Sequence, residues 1–195
     1  MLNYFLYYQT LKSGTSMNTL SRVAFILAAF ITISITSSCA TLTNDIEVET
    51  HANPDINYDN YKTYAWAGSA QIIFDPVGQW EQPTLDMDEE VKFVVNRELR
   101  SYGIYPVETD PDLLVGFAAG IDTAALELKE DPNSAKKILT NVPKASLLIA
   151  LTDANTGYIV WLGFAVGDVQ KQQSEENIRA RIDYAVREIF KPYNK

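Results

Sequence analysis

The chain has 195 residues, 47% of them hydrophobic, with 16 Lys and Arg against 25 Asp and Glu and a formal charge of −9. Scattered basic residues in an acidic chain argue against nucleic acid as a partner, because phosphate binding needs clustered Lys and Arg, and they disfavour adhesion to anionic headgroups. One cysteine, Cys39, rules out an internal disulfide, and one histidine, His51, rules out a histidine triad or a histidine metal pair.

The N-terminal segment reads as an export signal. Arg22 precedes an uncharged run, Val23 to Ile35, and Thr36-Ser37-Ser38-Cys39 follow. The run is shorter than the roughly 20 apolar residues a bilayer span needs, whereas a basic start, a short apolar core and small residues make a signal peptide. A cysteine after the cut resembles a bacterial lipobox, in which the thiol receives a diacylglyceryl group, although Thr36 stands where Leu is usual. Residues 1–38 are therefore expected to be removed, with Met17 as an alternative start, and Cys39 is the expected lipidation site. Cleavage takes away Lys12 and Arg22 and no acidic residue, leaving 157 residues with a formal charge of −11. That length suits one domain with a substantial core. Residues 39–45 form a short tether, and its six residues after Cys39 reach at most about 20 Å. The domain, residues 46–195, is expected to face the periplasm close to its membrane.

Ile46-Glu47-Val48-Glu49 alternates apolar and charged residues, the period of a half-buried strand. Asn53, Pro54 and Asn57 break it, and Lys62 to Trp66 reads as a second strand. Gly68 to Pro83, with two glycines and two prolines, reads as an ordered loop. Asp86 with Glu89 three places on resembles a capping box. It opens a helix whose apolar face carries Met87, Val91, Val94, Val95, Leu99 and Tyr102, and Gly103 suits its C-terminal cap. Asp112 to Ala119 is a continuous apolar run, expected of a strand buried on both faces. Thr123 to Lys129 and Ser134 to Leu139 read as short helices within an insertion. Ala145 to Leu151 and Tyr158 to Val166 form a hairpin, with Gly157 in the turn. A final helix from about Ser174 carries Ile178, Ile182, Ala185, Val186 and Ile189 on one stripe and ends at Lys191-Pro192. The expected fold is α+β: a largely antiparallel sheet of about six strands with two helices on one face, in the order β-β-α-β-β-β-β-α.

Three segments carry a family resemblance: Tyr61-Lys-Thr-Tyr-Ala-Trp66, Asp110-Pro-Asp-Leu-Leu-Val115 and Leu151-Thr-Asp-Ala-Asn-Thr-Gly-Tyr-Ile-Val-Trp161. In order and spacing, from Ile46 to Phe190, the chain resembles the bacterial envelope family catalogued as domain of unknown function 4136, whose members are typically lipoproteins. Leu162 departs from the polar or basic residue usual after the tryptophan. The resemblance implies an address and a fold, with no established activity.

Candidate chemistry is sparse. Asp86, Asp88, Glu89 and Glu90 form the densest acidic cluster, but Val91 and Arg97 stand where a calcium loop of the EF-hand type needs Gly and Glu. Charges at a helix N-terminus explain the cluster, and a tight turn explains Asp153, Asn155 and Gly157. No serine lies in a nucleophile-elbow context. No catalytic residue, metal or cofactor is expected. Tyr58, Tyr64 and Trp66 share parity on one expected strand, and Tyr158 and Trp161 lie on another. Tyr64, Trp66, Tyr158 and Trp161 are thus the candidates for ligand contact, weighed against cross-strand packing. The expectation is a non-enzymatic lipoprotein, anchored on the periplasmic side of the outer membrane because Ala40 and not Asp follows the cysteine. Its role would be structural or as a binding accessory for envelope proteins. The alternatives are a carrier or sensor of a small amphiphile and, more remotely, a carboxylate hydrolase.

Overall fold

Alternating side-chain parity builds a six-stranded sheet from segments far apart in the chain. The structure, a computed structural model, describes residues 42–134, 136–170 and 174–193. The expected signal segment and Cys39 lie outside the described residues. The strands are β1 (Glu47–Ala52), β2 (Thr63–Phe74), β3 (Tyr105–Pro106), β4 (Leu113–Asp122), β5 (Leu126–Glu130), β6 (Lys137–Asn141), β7 (Lys144–Asp153) and β8 (Ile159–Asp168). Helix α1 (Met87–Ser101) follows β2, and α2 (Glu175–Phe190) closes the domain. The main sheet runs β1-β8-β7-β4-β2-β3, and β5-β6 form a separate two-stranded sheet. Three pairings of the main sheet are antiparallel, whereas β2 runs parallel to both β4 and β3. With the β5-β6 hairpin set aside, the order is the one expected.

Both helices begin as their sequences dictate. The Asp86 carboxylate accepts hydrogen bonds from the Asp88 and Glu89 amides at 3.0 and 3.1 Å, and the Ser174 hydroxyl accepts one from Asn177 at 3.2 Å. These satisfy amides that have no partner within the helix. Gly103 and Gly157 adopt φ of +76° and +74°, the left-handed region expected of a helix end and a hairpin turn. Val91, Val94, Val95 and Leu99 of α1 join Ile182, Val186, Ile189 and Phe190 of α2 over one face of the sheet. That face supplies Leu113, Val115 and Phe117, then Ile149 and Leu151, then Trp161. At Gly163 a Cβ would stand 2.2 Å from Ile189 Cγ2, so glycine is what lets α2 lie this close to β8.

Four local expectations are corrected. The segment from Gly68 continues as strand to Phe74, because the register shift between Trp66 and Gly68 is a bulge and not a strand end. The two short helices expected near 123–139 are strands β5 and β6. Leu126-Glu-Leu-Lys-Glu130 alternates with period two, and Leu128 pairs directly with Leu139. Tyr58 lies in a 3-10 turn, Tyr58–Asn60, and not on the β2 strand. The apolar run of β4 is buried on one face only: Leu113, Val115 and Phe117 are buried, while Leu114, Gly116 and Ala118 are half-buried.

Candidate functional site

The three family segments meet at one end of the sheet. Asp112, before β4, accepts from the Lys62 and Thr63 amides at 2.8 and 2.9 Å and from the Thr63 hydroxyl at 2.9 Å. The Asp112 carbonyl accepts from the Ala154 amide at 3.0 Å, which ties in the β7-β8 turn. Tyr61 donates its hydroxyl to Asp153 Oδ2 at 2.9 Å, while Asp153 Oδ1 accepts from the Asn155 and Thr156 amides. Donors to the ionised form hold both carboxyls below the usual range, the Lys62 amide leading for Asp112 and the Thr156 amide for Asp153. Burial, helped by the Asp153 charge, pushes the Tyr61 phenol up to about 12. Every polar atom named here is committed to holding β2, β4 and the β7-β8 hairpin in register, so the hallmark residues are explained as structure.

The aromatic candidates divide into two clusters and one solvent-facing residue. Tyr64 is buried and Trp66 half-buried, and both donate to a single acceptor, Asn96 Oδ1 on α1, at 2.5 and 3.2 Å. Phe117 packs edge-on against Trp66. Trp161 belongs to a second cluster, with Tyr58 and Tyr193 edge-on at 6.0 and 5.3 Å between centroids. Trp161 Nε1 and the Tyr193 hydroxyl have no hydrogen-bond partner among the described residues, and burial raises the Tyr193 phenol. Tyr158 is 75% exposed. The four residues do not line one site.

The acidic cluster is likewise absorbed locally. Asp86 caps α1, Asp88 pairs with Lys92 at 2.6 Å and touches the Ser69 hydroxyl, and Glu90 faces Arg179 at 3.6 Å. Among the described residues, no group of three or more His, Cys, Asp or Glu is placed to hold a metal. A groove of about 480 Å³ lies between the β2 residues Ser69–Gln71 and the segment Gln82–Asp88, open to solvent.

Sequence reasoning missed the pair that fixes the N-terminal entry. Arg181, on the buried stripe of α2, donates to Asp45 Oδ1 and Oδ2 at 2.7 and 2.6 Å, to the Asp168 carbonyl at 3.1 Å and to the Leu42 carbonyl. The Arg181 bonds hold the Asp45 carboxyl below its ordinary value against the opposing effect of burial. The one available signal was a charged residue between Ile178 and Ile182 on an otherwise apolar face.

The surface with the least internal explanation is the second face of the sheet. Leu114, Gly116 and Ala118 of β4, Leu148 and Ala150 of β7, and Leu162, Phe164 and Val166 of β8 point away from the helices. Both helices lie on the opposite side, in the core with Val115, Ile149 and Trp161. An apolar sheet face of this breadth normally carries a covering layer. The outer edges differ as well. On β1, Glu47, Glu49 and His51 stand opposite Val166, Phe164 and Leu162 and so border this face with charge, whereas β2 carries no charge from Thr63 to Phe74 and pairs with β3 only at Thr63 and Tyr64.

The sequence model of the family described as Domain of unknown function (DUF4136) matches residues 48–193, and the chain belongs to that family. A DUF4136 family protein from Bacteroides thetaiotaomicron is similar in structure at 14% identity and a TM-score of 0.48, covering 76% of this chain and 96% of that one. The PelC dodecamer from Paraburkholderia phytofirmans matches at 10% identity and 0.43, covering 75% and 96%. A minor lipoprotein from Acinetobacter baumannii matches at 10% and 0.36, covering 69% and 93%. No curated protein matches the chain.

Proposed function

We propose that this protein is a non-enzymatic accessory of the bacterial envelope, anchored through Cys39 to the periplasmic side of the outer membrane. Its working surface is the apolar face of the sheet, and its partner is an envelope protein presenting an uncharged apolar surface. The observation that carries this reading is the one-sided sheet: residues of one parity on β4, β7 and β8 are buried under helices, while Leu114, Ala118, Leu148, Ala150, Leu162, Phe164 and Val166 of the other parity have no covering element among the described residues. Burying apolar area contributes roughly 25 cal/mol per Å², so a face of small and branched side chains is a ready docking surface. The signal segment, the lipobox-like Cys39 and family membership support the address. The absorption of Asp86, Asp88, Asp112 and Asp153 into caps, ion pairs and turns supports a non-catalytic role. An amphiphile carrier would need open space between sheet and helices, and Trp161, Tyr64, Phe190 and Leu99 fill that layer.

A photo-crosslinking residue in place of Leu148 tests the proposal in living cells. A discrete crosslinked envelope protein at Leu148, lost when Ala118 is changed to Glu, is the expected result. Crosslinking at Leu148 no stronger than at the solvent-facing Tyr158 would overturn it.

A further inference from the structure

The exposed leucines of the β5-β6 hairpin gather where the chain enters from its lipid anchor. Leu126, Leu128 and Leu139 are 63%, 66% and 66% exposed. Register places Leu128 opposite Leu139, with Leu126 two residues along the same row, so the three share one face of the hairpin, which Asn141 borders at one end and the cross-strand pair Glu130 and Lys137 at the turn end. The opposite row carries Glu127 and Lys129, and these charges tie the hairpin to the end of the main sheet. Lys129 Nζ lies 3.9 Å from Asp168 Oδ2, and Lys144 pairs with both Glu127 and Asp168. The Asp168 amide in turn donates to Asp45 Oδ2 at 2.7 Å. Leu42, whose carbonyl Arg181 holds, lies three positions before Asp45, and Cys39 three positions before Leu42, a reach of at most about 11 Å. The β2 terminus adds Ile72 and Phe74, 62% and 57% exposed, at this same end of the sheet, where Phe74 pairs with Asp122 and Asp122 with Lys144.

We propose that the leucine face of the β5-β6 hairpin is a membrane foot that inserts into the apolar region of the bilayer beside the lipid anchor. The proposal rests on the lipid-anchor reading of Cys39 and adds a second, non-covalent point of attachment. Anchoring by acyl chains alone leaves a domain free to pivot, and a second contact fixes its orientation. The acidic net charge gives no electrostatic attraction to the surface, so the leucines carry the contact, and Glu130 and Lys137 face each other as an opposite-charge pair that adds no net charge to it. Held by this foot, the sheet would present its Tyr158 end away from the membrane, because Tyr158 precedes β8 at the end opposite Asp168.

The test uses the full lipidated protein, purified and reconstituted in vesicles of phosphatidylethanolamine and phosphatidylglycerol. If Cys39 is acylated, Leu128→Cys supplies the only free thiol, and Tyr158→Cys supplies a reference; each is labelled with an environment-sensitive fluorophore. The expected result is blue-shifted emission at 128, quenched by spin-labelled lipid acyl chains and shielded from iodide, with the reverse at 158. Leu139→Cys should repeat the result at 128, and unchanged melting of the variants shows that the fold is intact. Equal iodide quenching at 128 and 158 in a protein that floats with vesicles overturns the foot and leaves the anchor standing. Shielding at 128 in isolated envelopes but not in vesicles shows a protein covering the hairpin, and also overturns the foot. Thiol labelling of the unaltered protein, without flotation, overturns the anchor and the foot together.

Discussion

Arg181 grips Asp45 with a two-pronged fork, Nη1 to Oδ1 at 2.7 Å and Nη2 to Oδ2 at 2.6 Å, and so fastens the first described residues to the last helix. The Arg181 side chain is 10% exposed and that of Asp45 18%, which places the pair inside the surface layer. A Cβ at Gly167 would stand 2.6 Å from Arg181 Nη2, so a glycine is needed for the fork to form. The same contact brings the N-terminal entry of the domain, the end of β8 and α2 to one point.

This pair makes acid stability depend on Asp45. Its folded value lies below the usual carboxylate range, so its contribution is fully present above the unfolded value of about 3.9 and is lost as pH falls through the lower folded value. Asp45→Ala leaves Arg181 without its charge partner and should cost about 2–4 kcal/mol near neutral pH. Thermal unfolding from pH 7 to pH 2 should show the gap between variant and parent closing only at the acid end. A gap that stays constant across that range would show that the carboxylate charge is not what matters.

The family segments are expected to fail by unfolding and not by losing an activity. Asp112→Ala removes an acceptor shared by two amides and a hydroxyl and should cost about 1–3 kcal/mol, whereas Tyr61→Phe should cost about 0.5–1.5 kcal/mol. Urea denaturation gives both numbers. Retention of the envelope crosslink at Leu148 by the folded fraction of each variant would separate structural from binding roles.

Much of the fold was legible because it rests on local rules. The caps at Asp86 and Ser174, the turn glycines at 103 and 157 and the apolar stripes of both helices follow from propensity and period. The errors share a cause. Gly68 reads as a terminator, yet strand pairing with β4 carries the chain through a bulge to Phe74. Glu and Lys near 127–137 carry helix propensity, yet the alternating leucines pair across a hairpin. The one-sidedness of β4 was hidden because small apolar residues on an open face look the same in sequence as buried ones. Only the placement of both helices on the other side distinguishes them.

Two glycines should respond differently to added side chains. Gly157→Val forces a β-branched residue to positive φ in open space, at a cost of about 1–3 kcal/mol from backbone strain. Gly163→Ala has no such strain but drives a methyl into Ile189, and should cost a similar 1–3 kcal/mol by overpacking. Pairing Gly163→Ala with Ile189→Ala, which removes the Cγ2 that a methyl at 163 would strike, tests the steric cause. In melting experiments the double variant should be more stable than the sum of the single changes predicts, and strict additivity would show that the two side chains do not meet.

Adjacent residues on β7 provide the sharpest test of the open face. Ile149 is fully buried under the helices, and Leu148 is half-buried on the other side of the same strand. Truncating Ile149 to Ala removes apolar contacts on every side and should cost about 2–5 kcal/mol. Leu148→Ala loses only part of its burial, so the isolated protein should lose about 1 kcal/mol or less. The order should reverse in cells, where Leu148→Ala weakens the envelope crosslink while leaving the domain folded. Urea unfolding of both variants checks the first half, and crosslinking from Phe164 checks the second. Equal destabilisation by the two truncations would mean that both faces of β7 are already covered within the domain, and the sheet would then have no free face for a partner.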